Sequence, residues 1–120
     1  MKKLLINEYP IMVLPSLAEK IGINEAIFLQ QLHYLLAESG HNIDGRKWVY
    51  STYENWHQQF PFWSLSTIRR IVLRLEKMGL IITGNFNRFK MDKTKWYRIN
   101  YELLETLADE NVQKLTSDRE

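Results

Sequence analysis

The chain has 120 residues, of which 45% are apolar, and this composition suits one packed domain rather than a disordered segment. It contains no cysteine, which excludes a disulfide scaffold, a thiolate zinc site and a cysteine nucleophile, and which is compatible with a reducing cytosol. The first apolar run ends at Asn7, too early for a signal peptide or a membrane span. We therefore expect a cytoplasmic protein with no membrane partner.

The net charge of +2 is unevenly distributed along the chain. Between residues 61 and 100, nine basic residues stand against two acidic ones, a net charge of +7, whereas the rest of the chain has a net charge of −5. Lys and Arg neutralise phosphates, so a cationic block in an otherwise acidic chain is typical of a polyanion-binding face. The alternative is a solvated surface that is merely rich in lysine and arginine.

The N-terminal part is predicted to hold an extended arm and two helices. Two prolines bracket the apolar residues 11–14, which suit a short strand or an arm that could pair with a second copy of the chain. Ser16 is expected to cap a short helix that Gly22 ends. Asn24 is expected to cap a longer amphipathic helix that stops at Gly40.

A turn, a strand and another helix are predicted next. Asp44 and Gly45 indicate a turn, and residues 46–50 have the aromatic and β-branched content of a short strand. Ser51 and Glu54 have the spacing of a capping box, in which each side chain satisfies a backbone amide at the start of a helix. The side chains expected on the buried face of this helix are Tyr53, Trp56 and Phe60.

The third long helix is predicted to begin after Ser64 as its N-cap and to run to about Met78, with Gly79 as the stop signal. Trp63 and Ile68 have the spacing of a hydrophobic staple. The apolar residues that form one stripe are Ile68, Ile71, Val72, Leu75 and Met78. The polar residues expected on the opposite side are Ser66, Thr67, Arg70, Arg74 and Lys77.

A β-hairpin and a last helix complete the predicted elements. Residues 80–83 and 94–101 are the two strands, separated by a polar tip. Alternation in the second strand predicts one face with Tyr97, Ile99 and Tyr101 and another with Trp96 and Arg98. Residues 102–115 are compatible with an acidic helix, followed by a frayed tail.

This order of elements predicts an α+β, mainly α fold, a winged helix-turn-helix with a two- to three-stranded antiparallel wing sheet. Residues 1–101 would form the winged-helix domain with its N-terminal arm, and residues 102–120 the C-terminal helix and tail. The third helix would enter the major groove while the basic wing contacts backbone or minor groove. The predicted DNA-binding residues are Ser64, Ser66, Thr67, Arg69, Arg70, Arg74, Lys77, Arg88, Lys90, Lys93 and Lys95.

Five short runs carry a resemblance to a known group. They are Trp48-Val49-Tyr50, Phe60-Pro61-Phe62-Trp63-Ser64, Thr67-Ile68-Arg69-Arg70, Leu75-Glu76-Lys77-Met78-Gly79-Leu80 and Lys93-Thr94-Lys95-Trp96-Tyr97. With them, the chain resembles the N-terminal winged-helix domain of replication proteins from Gram-positive phages, plasmids and integrative elements, the replisome organisers and DnaD-type proteins. The resemblance implies sequence-specific binding of double-stranded DNA at origins, replication initiation, self-association and recruitment of host replication proteins.

Residues 11–14 are our candidate for a homodimer contact, with ordinary core packing as the alternative. Two other functions stay open: a winged-helix transcriptional regulator, and a protein-binding winged helix with Trp96 beside Arg98 as an anchor. No phosphate loop, nucleophile elbow or zinc-protease motif is present, and the three histidines are scattered at positions 33, 41 and 57. We therefore expect no enzyme activity, no cofactor and no metal.

Overall fold

The computed structural model describes residues 10–87 and 94–107. Its elements, in chain order, are α1 (Pro15–Ile21), α2 (Ile23–Ser39), β1 (His41–Ile43), β2 (Arg46–Ser51), α3 (Tyr53–Gln59), α4 (Leu65–Lys77), β3 (Ile81–Gly84), β4 (Lys95–Ile99) and α5, of which residues 101–107 are described. The fold is α+β and mainly α, as predicted, and its order of elements is compatible with a winged helix. Within the described ranges, no helix is long and apolar enough to cross a membrane.

The first two helices meet at one glycine, and both predicted N-caps are wrong. Helix α1 begins at Pro15, whose fixed φ suits the first helical position, so Ser16 lies inside the helix. Gly22 ends α1 as predicted, with φ of +104°, and it is also the N-cap of α2. Asn24 therefore lies within the first turn of α2, which ends before Gly40 as expected.

The sheet has four antiparallel strands in the order β1-β2-β4-β3. This is more than the two or three strands predicted, because His41–Ile43 pairs with β2 through a tight turn. Asp44 and Gly45 form that turn, both with positive φ, the geometry that matches the twist of a two-residue hairpin. The central pair, β2 and β4, brings Tyr50 opposite Trp96.

Helix α3 begins one residue later than the capping-box pattern predicted. Ser51 is the last residue of β2, where it pairs with Lys95, and its hydroxyl donates to the Thr52 carbonyl at 3.0 Å. Thr52 is the actual N-cap, and its side chain accepts from the Asn55 amide at 3.1 Å. Pairing with a distant strand therefore decides which of two adjacent hydroxyl residues caps the helix.

The core lies between α2, α3, α4 and the inner face of the sheet. Trp56 and Phe60 are fully buried, as predicted for α3, and the Trp56 ring contacts Phe28 at 4.8 Å and Tyr97 at 5.4 Å between centroids. Tyr97 and Ile99 share the inner face of β4, as the alternation predicted. Tyr101 does not continue that face, because it is already part of α5. The residues of α5 that pack against the core are Leu103, Leu104 and Leu107.

Candidate nucleic-acid interface

Helix α4 has the cap, the buried stripe and the end that the sequence predicted. The Ser64 hydroxyl accepts the Thr67 amide at 3.2 Å, and the helix ends at Lys77 before Gly79, whose φ is +79°. The side chains of α4 that are buried in the core are Ile68, Ile71, Val72 and Leu75. Because one side of α4 is fixed in the core, the direction of every other side chain on it is fixed as well.

The outward side of α4 is a stripe formed by Ser66, Arg70, Leu73 and Lys77. At about 100° of rotation per residue, these four positions fall within an arc of roughly 60° opposite the buried stripe. All four are exposed, and together they line one shallow depression on the surface. Among the residues that the structure describes, Arg70 has no hydrogen-bond or ion-pair partner. Its guanidinium is therefore available to an external anion.

Arg69 flanks the outward stripe on one side and connects it to the sheet. Its guanidinium carbon lies 5.0 Å from the centroid of the Tyr53 ring at the start of α3. The hydroxyl of the same tyrosine accepts a hydrogen bond of 3.1 Å from the ammonium of Lys95, the first residue of β4. The Lys95 ammonium also lies over the Tyr53 ring, 5.2 Å from its centroid. Tyr53 thus joins α4 to the base of the β3–β4 hairpin.

Arg74 flanks the stripe on the other side and has an acidic partner within the chain. Its Nη1 lies 3.6 Å from Oε1 of Glu25, a carboxylate in the first turn of α2. The Glu25 side chain is 7% exposed, whereas that of Arg74 is 58% exposed. Part of the Arg74 charge is therefore compensated internally, and the exposed part of the guanidinium still faces outward.

Three hydroxyl groups gather at the N-terminus of α4. The Ser64 hydroxyl donates to Oγ1 of Thr67 at 3.0 Å, and it lies 3.1 Å from Oγ of Ser66. Because Thr67 accepts at its oxygen, its own hydrogen is left to donate outward. The positive end of the helix dipole lies at the same place, and it favours an anion such as a phosphate.

The wing is described only at its base. Three of the predicted DNA-binding residues, Arg88, Lys90 and Lys93, lie outside the described residues. At the base, Oδ1 of Asn87 accepts from the indole of Trp96 at 2.9 Å, and its side-chain amide donates to the Thr94 carbonyl. The Asn87 side chain therefore holds the two sides of the hairpin together where β4 begins.

The structure brings seven of the predicted site residues together along α4, from Ser64 to Lys77, and connects them to Lys95 through Tyr53. Two members of this surface were missed. Tyr53 packs against the core, as its spacing from Trp56 predicted, but its ring and hydroxyl also contact Arg69 and Lys95, which the spacing did not indicate. Leu73 is apolar yet 54% exposed, and its position off the buried stripe was the signal that could have identified it.

A second concave region lies between α1, α2 and α5. It is a groove of about 520 Å³ lined mainly by apolar side chains, and at one wall Nδ1 of His33 and the hydroxyl of Tyr101 are 2.8 Å apart. Over residues 10–87 and 94–107, no three His, Asp or Glu side chains are grouped so that they could hold a metal ion.

Comparisons of the chain with known protein families, with curated proteins and with solved structures gave no match.

Proposed function

We propose that the chain binds double-stranded DNA in a sequence-specific manner, with α4 in the major groove and the β3–β4 wing on the adjacent backbone or minor groove. The observation that carries this proposal is the contact chain from Arg69 through Tyr53 to Lys95. It supports the proposal because it brings Arg69, beside the outward stripe of α4, close to Lys95 at the base of the wing. Cations gathered beside a helix of this kind neutralise phosphates, and this supplies much of the affinity of DNA-binding domains.

Within this proposal the residues of α4 have different tasks. The Thr67 hydroxyl at its N-terminus donates to a phosphate, which helps to set the position of the helix on the duplex. Arg70 reads a guanine edge or binds a phosphate, and Leu73, one turn on, offers the apolar contact that a thymine methyl group accepts. Lys95 adds a phosphate contact from the wing base. Arg74 contributes less, because its charge is shared with Glu25.

A role in replication initiation is proposed on the resemblance of the sequence to replisome organisers and DnaD-type proteins. The same resemblance supports self-association and contact with host replication proteins. A cytoplasmic location is proposed because the chain has no cysteine. For self-association, residues 11–14 are the proposed contact, since Met12 and Leu14 present exposed apolar side chains just before α1. Covering these apolar side chains with a second copy of the chain would remove them from water and stabilise the dimer.

Fluorescence anisotropy with a labelled random duplex, measured at several salt concentrations, tests duplex binding. Phosphate contacts release counterions, so each contact contributes about −0.9 to the slope of log K against log salt. We expect a slope of several units for the wild type. A slope near zero would refute DNA binding and favour the protein-binding winged helix. Footprinting on the DNA around the protein's own gene then separates an origin from a promoter.

A further inference from the structure

The outer face of the sheet, away from the core, carries a cluster of aromatic rings. Side chains alternate along β2 and β4, so that Val49 and Tyr97 enter the core while their neighbours point outward. We call this outward cluster the aromatic face, and its members are His41, Trp48, Tyr50, Phe86 and Trp96.

The rings of the aromatic face support one another in fixed positions. Tyr50 and Trp96 lie 5.0 Å apart between centroids, Trp96 and Phe86 5.7 Å, and Phe86 and Trp48 4.9 Å. The indole of Trp96 is also held by its hydrogen bond to Asn87. Two rings nevertheless keep about half of their surface in solvent: Tyr50 is 55% exposed and Phe86 46% exposed. The exposed parts of these two rings form a pre-formed aromatic surface.

The charge around these rings is positive. The four strands contain four Lys or Arg residues and no Asp or Glu. Arg46 and Arg98 lie on the same side of the sheet as the rings, and the Arg98 guanidinium carbon is 5.5 Å from the centroid of Trp48. Partial burial, and then the like charge of Arg46, lower the pKa of Arg98, while Glu102 of α5 opposes that change. An anion placed between the two arginines would relieve their repulsion.

We propose that the aromatic face is a second nucleic-acid site, which binds single-stranded DNA by stacking unpaired bases on Tyr50 and Phe86 while Arg46 and Arg98 contact the flanking phosphates. Exposed rings interleaved with cations are what single strands require, because every base has a π-face and every nucleotide a phosphate. A duplex has no unpaired base to offer to such rings. The choice of DNA over RNA rests on the proposed function.

The two nucleic-acid surfaces meet along β4. Lys95 contacts Tyr53 on the side of α4, whereas the next residue, Trp96, belongs to the aromatic face. One strand of the hairpin therefore contributes to both surfaces. A DNA strand released from the duplex beside the wing would have a short path to the aromatic face, and this arrangement suits a protein that acts where a duplex is opened.

The test is anisotropy of a fluorescein-labelled fifteen-nucleotide oligo(dT) with the full chain and with Tyr50→Ala. The matched control is Tyr34→Ala, which removes a tyrosine of almost equal exposure, 56%, from α2. We expect Tyr50→Ala to weaken oligo(dT) binding about fivefold or more, which is the effect of losing one stacked base. Phe86→Ala is the second variant, and circular dichroism confirms that each variant is folded.

The proposal is supported if Tyr50→Ala and Phe86→Ala weaken oligo(dT) binding but keep the wild-type affinity for duplex DNA. Tyr34→Ala should keep the wild-type affinity for oligo(dT). Equal oligo(dT) affinity for Tyr50→Ala and Tyr34→Ala would overturn it. The proposal would also be overturned if Tyr50→Ala kept the wild-type oligo(dT) affinity but sedimented with a smaller mass than the wild type. The aromatic face would then be a protein interface. Loss of duplex binding in Arg70→Ala, with oligo(dT) binding retained, separates this site from the one on α4.

Discussion

Arg70 offers the sharpest way to separate DNA binding from folding. Its side chain is exposed in the middle of α4 and has no hydrogen-bond or ion-pair partner in the described part of the chain. Arg70→Ala should therefore leave the free energy of unfolding within about 0.5 kcal/mol of the wild type. On a cognate duplex, loss of a base contact should cost about 1 to 3 kcal/mol, or roughly 5- to 160-fold in Kd.

The type of contact that Arg70 makes can be read from the same titrations. If Arg70 contacts a base, Arg70→Ala loses affinity only for the cognate site, and the slope of log K against log salt stays nearly unchanged. If it contacts a phosphate, every duplex is weakened and the slope of log K against log salt falls by about 1. Either result agrees with an outward Arg70.

Arg74→Ala is the matched control, because it removes the same side chain one turn further along α4. This variant leaves the Glu25 carboxylate, whose side chain is 7% exposed, without its cation. Since Arg74 is largely in solvent, the pair contributes at most about 1 kcal/mol to the free energy of unfolding. We expect Arg74→Ala to lose stability up to that amount and to lose less duplex affinity than Arg70→Ala.

Urea unfolding followed by tryptophan fluorescence gives the stabilities, and anisotropy at three salt concentrations gives the affinities. The reasoning is refuted if Arg70→Ala binds duplex DNA as the wild type does. It is equally refuted if Arg70→Ala loses clearly more than about 0.5 kcal/mol of stability, because that would mean that Arg70 has a structural role.

Three further predictions concern the fold. Ser64→Ala removes the N-cap of α4 and should lower the free energy of unfolding by about 1 kcal/mol in urea titrations, and an unchanged value would show that the cap is dispensable. Gly79→Ala forces a side chain into φ of +79°, with its Cβ 3.3 Å from Leu103, and should cost roughly 1 to 2 kcal/mol in the same assay. Burial raises the pKa of Tyr97 above its ordinary value near 10, so the wild type should lose about 1 kcal/mol of stability as the pH rises to 11. Tyr97→Phe should lack the part of that loss that Tyr97 contributes, while a part remains because burial also raises the pKa of Tyr101. Tyr50→Phe, at an exposed position, should retain the whole loss.

Helix α4 was the most predictable part of the molecule, because its signals are local. The Ser64 cap, the apolar stripe and Gly79 all lie within or next to the helix, and they agree with one another. The sequence therefore predicted the length of α4 and its buried stripe, although it missed Leu73 on the outward side. The periodicity of β4 was equally informative at Tyr97 and Ile99.

The features that depend on distant partners were not predictable in the same way. Ser51 and Thr52 are both acceptable caps, and the choice between them is made by the pairing of Ser51 with Lys95 across the sheet. The ion pair of Arg74 with Glu25 joins residues in two different helices. For the same reason, spacing predicted that Tyr53 packs against the core but not that its ring and hydroxyl bridge two cations from other elements.

Amide chemical shifts of the labelled protein, recorded during titration with a duplex, test most directly whether α4 and the wing base form one DNA-binding surface. The account predicts that the largest changes fall together on Ser66, Arg70 and Leu73 of α4 and on Lys95 of β4. Tyr34, on α2, should stay unchanged. Changes confined to the groove between α1, α2 and α5, or changes on α4 with none at Lys95, would contradict the central claim.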